Sequence, residues 1–248
     1  ALSHSLNTVS VRLTLEVGPG AVAKTAYRLG IASKLDANPS LALGTSEVSL
    51  LELTCAYAPF ANGGNAIAPH VVERVRTRAG KIVYARTPQP LGRIIEPRYV
   101  AMMNAMLRET LVSGTAQKAQ FPGWPAAGKT GTSQDFRDAW FIGYTGRLVT
   151  GVWVGNDDSS PTKKATGGSL PVDVWSQFMR AAHQGVAVAS LPGLTGNAAF
   201  ASVAPNAAPA NATSEGQVGT QVSGQAVRPQ PIDRGLDGWF LDRLFGRR

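Results

Sequence analysis

Lys129-Thr130-Gly131-Thr132 places an amine and two hydroxyls within four consecutive residues. Such a segment can hold a carboxylate and shift protons near it, and a glycine at 131 lets a ligand backbone come close if the segment is a strand. The same residues also complete a phosphate-loop string, Gly123-Trp124-Pro125-Ala126-Ala127-Gly128-Lys129-Thr130. A phosphate loop follows a buried strand and opens a helix whose N–H groups point at the anion. Here Ala119-Gln120-Phe121-Pro122 precedes it, Pro125 removes one amide, and strand-like sequence follows Gly131-Thr132-Ser133. The string matches and its setting does not, so nucleotide binding is set aside. Ser5 and Asn7 offer a hydroxyl and a carboxamide directly before a helical segment, where either could act as a helix N-cap. One Cys and three scattered His exclude a disulfide framework and a zinc site of usual spacing. Cys55 falls inside a helical stretch and reads as a small core residue.

The elements that must position these residues follow from periodicity. Val9, Leu13 and Val17 repeat at i, i+4 and i+8, giving a helix with an apolar face. Ala21 to Leu29 reads as a short helix stopped by Gly30. Residues 31–48 are loop-like, with a turn at Asn38-Pro39. Leu50, Leu51, Leu53, Ala56, Tyr57 and Phe60 mark a helix ending at Asn62-Gly63-Gly64. Residues 69–86 read as a hairpin, with strands Val71–Val75 and Lys81–Tyr84 around Ala79-Gly80. Tyr99, Met102, Met103, Met106, Leu107, Thr110 and Leu111 predict a helix whose methionines fill the core. Ala139–Tyr144 and Leu148–Val154 then change period and make a strand-turn-strand unit through Thr145-Gly146-Arg147. Trp140 and Trp153 are taken as core on these strands. Pro171 to His183 returns to helix, with Val174, Trp175, Phe178, Met179 and Ala182 on its inner face. Helices, antiparallel strands and a closing helix argue for an α+β class, an antiparallel sheet flanked by helices.

The chain has 248 residues, 44% hydrophobic and 16% charged, enough for a packed core. Its formal net charge of +8 is spread singly, the longest basic run before Gly196 being Lys163-Lys164. No stripe forms a phosphate-tracking groove, which argues against nucleic acid. No run approaches 18 apolar residues, so nothing reads as a membrane-spanning helix. From Asn197 to Val227 the only charged residue is Glu215, amid Ala, Pro, Gly, Gln, Ser and Asn. Residues 184–196 read as a connector and residues 197–235 as a disordered linker. Residues 236–248, with Leu236, Trp239, Phe240, Leu244 and Phe245, form a candidate amphipathic peptide for a partner or a membrane surface. The chain opens at Ala1 almost directly inside a helix, with neither initiator Met nor signal peptide, and reads as an N-terminally truncated fragment.

Several segments together resemble one family. Ala127-Gly128-Lys129-Thr130-Gly131-Thr132-Ser133, Asp138–Thr145, Gly151-Val152-Trp153-Val154-Gly155 and Thr166-Gly167-Gly168 resemble the transpeptidase domain of class A (bifunctional) penicillin-binding proteins. So do Leu43–Val48, Ala56 through Gly64, and Ser113-Gly114-Thr115-Ala116. Ser5-Leu6-Asn7 matches the family's S-x-N motif and Lys129-Thr130-Gly131 its K-T-G motif. The resemblance covers residues 1–183 and implies a serine β-lactamase/transpeptidase-like fold.

It also implies a peptidoglycan cross-linking D,D-transpeptidase that works through an acyl-serine. Ser5 would relay a proton to the leaving amine, Asn7 would bind the substrate amide, and Lys129 would hold Ser5. Thr130 and Thr132 would bind the donor's carboxylate, with Gly131 allowing close approach and the Thr132 N–H completing an oxyanion hole. The implied partners are peptidoglycan stem peptides, β-lactams and a missing N-terminal portion of the same chain. The implied location is the periplasmic or outer face of a bacterial inner membrane, with the anchor elsewhere. No cofactor or metal is implied. The family's nucleophile lies in an S-x-x-K motif upstream of S-x-N. The only such string here, Ser160-Pro161-Thr162-Lys163, follows K-T-G in a polar loop, whereas the nucleophile needs a buried helix N-terminus. It is read as a decoy, and this stretch alone is expected to be inactive. A D,D-carboxypeptidase or β-lactamase would use the same motifs, and an inactive cell-wall or partner-binding module would keep the cleft without the chemistry.

Overall fold

A computed structural model describes residues 1–194. The linker and the amphipathic peptide read at 197–248 lie outside the described residues. Five α-helices are described: α1 (Asn7–Val17), α2 (Pro19–Arg28), α3 (Leu50–Ala61), α4 (Pro97–Val112) and α5 (Leu170–Ala182). The strands are β1 (Arg74–Arg76), β2 (Ile82–Ala85), β3 (Ala126–Thr132), β4 (Asp138–Thr145) and β5 (Val149–Gly155). They fall in two compact units, one holding Ala1–Pro69 and the chain from Gln89, the other holding His70–Pro88.

In the first unit β3, β4 and β5 form an antiparallel sheet in that order, with Lys129 opposite Ile142 and Trp140 opposite Trp153. Helix α3 and helix α5 both pack on β4 and β5, and α4 packs on β3. This covers β4 so fully that Ala139 and every residue from Phe141 to Thr145 are buried. A strand covered on both sides loses the in-out alternation, which is why its sequence reads as continuously apolar. Val172, Trp175 and Met179 of α5 pack with Phe141 and Leu111 in one core cluster. Leu107, Ala127, Tyr144 and Leu191 form a second, joined by Tyr57 and Phe60 of α3.

Sequence periodicity located the helices well and their inner faces less well. Helix α4 buries Val100, Asn104, Leu107 and Leu111, so Met102 and Met106 lie on its exposed side, and of this helix's three methionines only Met103 packs on the core. The phase is fixed by polar partners. Asn104 is fully buried, donating to Phe60 O (3.0 Å) and Pro192 O (2.9 Å) and accepting from the Tyr144 hydroxyl (2.7 Å). Thr110, also fully buried, donates from Oγ1 to the backbone carbonyls of Leu107 and Gly128. Unpaired buried polar groups are costly, so these bonds select the rotation of the helix. Helix α5 likewise turns Trp175 inward, its indole donating to Gly143 O at 3.1 Å, and leaves Val174 and Phe178 exposed. In α1 only Thr14 is buried, while Leu13 and Val17 are exposed. Trp153 is 36% exposed rather than core; its indole donates to Asp138 Oδ1 at 2.8 Å beside the Trp140 ring.

Two loop regions hold local order that periodicity does not report. Pro39–Leu43 is a 3₁₀ turn whose Asn38 side chain accepts from Ser40 N. Helix α3 starts with a capping box between Ser49 and Glu52. The Glu52 carboxylate also accepts from the Ala32 and Ser33 amides (2.9 Å each) and the Ser33 hydroxyl (2.7 Å), tying the loop after α2 to α3.

In the second unit β1 pairs with β2 around a turn closed by Gly80 N donating to Thr77 O, with a bulge between Val75 and Arg76. The first strand starts three residues later than the pattern Val71–Val75 predicts. Among the described residues no helix is long and apolar enough to cross a membrane.

Two stability predictions follow. Asn104→Ala removes one side chain and orphans three partners, the buried Tyr144 hydroxyl and the carbonyls of half-buried Phe60 and Pro192, and is expected to cost about 2–4 kcal/mol. Urea unfolding should show a lower midpoint at unchanged slope. For Glu52, partial burial favours the neutral acid, but hydrogen bonds from Ser33, Ala32 and Ser49 outweigh it and hold the carboxyl at about 2 against 4.5. A carboxyl lowered by folding stabilises above its unfolded value and loses that stability as pH falls toward its folded one. Acid unfolding between pH 4.5 and about 2 should therefore be shallower in Glu52→Gln than in the wild type.

Candidate active site

Among the described residues strand β3 forms an edge of the three-stranded sheet, with no strand paired on its outer side. Lys129, Thr130, Gly131 and Thr132 occupy its last four positions, the first three half-buried and Thr132 exposed. The phosphate-loop alternative fails here, because Lys129 sits within a strand and a 3₁₀ turn at Gln134–Phe136 follows rather than an α-helix.

The other half of the site comes from the first turn of the chain. Ser5 N donates to Leu2 O and Leu6 N to Ala1 O, closing a turn that leads into α1. Leu6 occupies the N-cap with no side-chain cap, so neither Ser5 nor Asn7 caps the helix. Ser5 has φ 56°, a left-handed conformation that a serine adopts at some cost. Such strain persists where surrounding structure holds it, and it collects at functional sites.

What holds Ser5 is Lys129. The ammonium donates to Ser5 Oγ at 2.9 Å and to Thr130 O at 2.8 Å. An ammonium has three donors, so one remains for a ligand. Burial pushes the Lys129 amine below the usual lysine range of 10.5. An amine that grips its proton less tightly is the better proton relay.

The two threonines are each held by a loop. Thr132 Oγ1 accepts from Gly167 N at 3.0 Å, which leaves its own proton to be donated elsewhere. Gly167 can approach only because it lacks a side chain: a Cβ there would stand 2.5 Å from the carbonyl oxygens of Gly131 and Trp140. Thr130 Oγ1 lies 2.6 Å from Thr115 Oγ1. Asn7 is exposed at the first position of α1, and its side chain makes no hydrogen bond among the described residues. Thus the structure brings Ser5 and Lys129 into contact, has Thr130, Gly131 and Thr132 follow Lys129 on β3, and leaves Asn7 at the start of α1.

Ser160-Pro161-Thr162-Lys163 lies in an irregular stretch, not at a helix N-terminus. Ser160 is tied into its own loop, accepting from the Asn156 amide at both its carbonyl and hydroxyl oxygens (3.1 Å each). Thr115 and Gly167 are the site residues that reading residue chemistry passed over. Their only signal was positional, in the strings Ser113–Ala116 and Thr166–Gly168. Among the described residues no cluster of three or more His, Cys, Asp or Glu could hold a metal ion.

An antiparallel sheet buried between helices, with a lysine on its edge strand reaching a serine ahead of the first helix, is an α+β arrangement of the β-lactamase/transpeptidase type. The family described as penicillin binding protein transpeptidase domain matches residues 1–179, and the chain belongs to it. Penicillin-binding protein 1A of Aquifex aeolicus is 37% identical over 181 residues, covering 73% of this chain and 25% of that protein. That of Neisseria meningitidis is 36% identical over 192 residues, covering 75% and 24%. The chain therefore spans about a quarter of the length of the curated relatives it matches. The penicillin-binding protein PonA1 from Mycobacterium tuberculosis is similar in structure, with a TM-score of 0.73 at 29% identity over 86% of this chain and 62% of that one. A structure of PonA1 in complex with penicillin V gives a TM-score of 0.70 at 29% identity over 77% and 57%.

The lowered Lys129 pKa has a sign that can be checked. At neutral pH both folded and unfolded chains carry the charge, and folding bears the cost of partly desolvating it. As pH rises through the folded pKa toward 10.5, the folded chain sheds that proton first and the cost is relieved. Denaturation of the wild type and Lys129→Met across pH 7 to 10.5 should therefore show their stability difference shifting steadily in favour of the wild type.

Proposed function

We propose that this chain supplies two walls of a penicillin-sensitive D,D-transpeptidase site that cross-links peptidoglycan. The observation that carries the reading is the Lys129–Ser5 contact, which joins residues 124 positions apart in a chain of this family. In this reading the acylating serine comes from an S-x-x-K motif outside these 248 residues. Its oxygen attacks the carbonyl of the penultimate D-Ala of a stem peptide. The C–N bond breaks, and the terminal D-Ala leaves as an amine after taking a proton through Ser5. A second stem peptide's amine then attacks the ester, forming the cross-link and returning the serine.

Each residue here has a task that its surroundings support. Lys129 holds Ser5 at 2.9 Å, which orients the hydroxyl before substrate arrives, and its ammonium adds positive potential where the donor carboxylate binds. Thr132, whose lone pair is already engaged by Gly167 N, presents its proton to that carboxylate together with Thr130. Asn7, exposed at the start of α1, would bind the substrate amide. Gly131 keeps the strand edge open to a peptide backbone. A β-lactam fits the same site as a donor mimic whose acyl-serine persists. The substrate being cell-wall peptide, the site works on the outer side of the cytoplasmic membrane.

The test is labelling of the full-length protein by a fluorescent penicillin, read on a denaturing gel. The wild type is expected to give a covalent band, and Lys129→Ala to label at least about a hundredfold more slowly while staying folded. Labelling of the variant at the wild-type rate would remove Lys129 from the mechanism. Supplying an acceptor amine separates transfer from hydrolysis, since a transpeptidase diverts product from the free acid to the amide.

A further inference from the structure

Thr115 touches both walls of the site. Its backbone N–H donates to Ser3 O at 3.0 Å, two residues before Ser5. Its hydroxyl lies 2.6 Å from the Thr130 hydroxyl on strand β3. Its backbone is held closely on either side: Gly114 packs so tightly that a Cβ there would stand 2.3 Å from Ser3 O, and Ala116 is fully buried. The carbonyl of Thr115 is crowded as well, since a Cβ on Gly168 would lie 2.5 Å from it. An exposed residue pinned in this way has little freedom to choose another partner, and among the described residues its side chain hydrogen-bonds Thr130 alone.

We infer that Thr115 is a positioning residue that aims the Thr130 hydroxyl proton at the carboxylate of the bound donor or β-lactam. The inference rests on the transpeptidase reading above. Two hydroxyls in contact share one hydrogen bond, and either can be its donor. A carboxylate only accepts. Once it binds Thr130, the Thr130 proton is committed to it, and Thr130 Oγ1 can engage Thr115 only as acceptor. Thr115 must then be the donor. Donation into Thr130 also polarises its O–H toward the anion, since successive hydrogen bonds strengthen one another. Thr132 is prepared in the same sense by Gly167 N, so the two hydroxyls present two protons to one anion. Without the Thr115 donor, the Thr130 hydroxyl rotates among its staggered positions and only part of the population faces the ligand.

The test uses the full-length protein and two probes, a penicillin and its methyl ester, which differ in whether the carboxylate is charged. The readout is the ratio of their second-order acylation rates, with the melting temperature as a check on folding. Thr115→Val keeps the shape and removes the hydroxyl; it is expected to slow the penicillin about tenfold, to leave the ester within about twofold, and so to collapse the ratio. Thr115→Ser is expected to restore the ratio. Equal slowing of both probes by Thr115→Val, or an unchanged ratio, would overturn the positioning role. A wild type that neither probe labels would instead remove the transpeptidase reading, and this inference with it.

Discussion

The site depends on three stretches of backbone lying closer together than side chains would allow. The turn carrying Ser3 and Ser5, the segment Gly114-Thr115 and the loop at Gly167-Gly168 all meet strand β3 or one another through main-chain atoms. A Cβ at Gly114 would enter Ser3 O, and a Cβ at Gly167 would enter the carbonyls of Gly131 and Trp140. Because backbone meets backbone, the side chains of Ser5, Lys129, Thr130 and Thr132 are not used up as packing. They remain available to each other and to a ligand. A core built from side-chain contacts alone could not leave so many polar groups both fixed and free.

Holding those backbones in place falls to the sheet and to polar bonds inside it. Strand β4 is buried almost along its whole length, so β3 is hydrogen-bonded to a strand that cannot shift without disturbing both helical layers. Helix α4 is locked to the sheet by Thr110 to Gly128 O and by Asn104 to Tyr144, and Asn104 also ties it to the carbonyls of Phe60 in α3 and Pro192 in the loop after α5. Gly128 immediately precedes Lys129. The buried Thr110 hydroxyl therefore fixes the strand one residue from the catalytic candidate. Two polar residues inside a helix face are costly unless satisfied, and here all of their bonds except Thr110 to Leu107 O, which stays within the helix, register α4 against β3 or its supports.

The site residues themselves oppose stability. Ser5 holds a positive φ, and Lys129 keeps its amine partly buried with hydroxyl and carbonyl partners but no carboxylate. Both costs arise from the same arrangement, in which an amine relaxed in its hold on a proton faces a hydroxyl oriented before substrate binds. Stability given up locally is recovered in the core beneath, where Trp175, Phe141 and Tyr144 are fully buried.

Much of this was legible in the chain. The K-T-G and S-x-N segments were singled out by resemblance to a family, Ser5 and Asn7 alone reading as no more than helix caps. The helices and the antiparallel pair follow from local spacing, a property of neighbouring residues. The decoys were legible for the same reason, since Pro125 and the sequence after Lys129 deny a phosphate loop its helix, and Ser160 lacks one too. Which faces turn inward was not legible. Met102, Met106, Val174 and Phe178 are as apolar as the residues that are buried, and the choice was made by where Asn104, Thr110 and Trp175 find partners across the fold. The sequence by itself determined the chemical inventory and the type of each element, because periodicity and residue type are local. Only the tertiary structure decided that Ser5 meets Lys129, that Thr115 meets Thr130 and that Gly167 meets Thr132, because each contact joins distant positions and exists only where backbones converge.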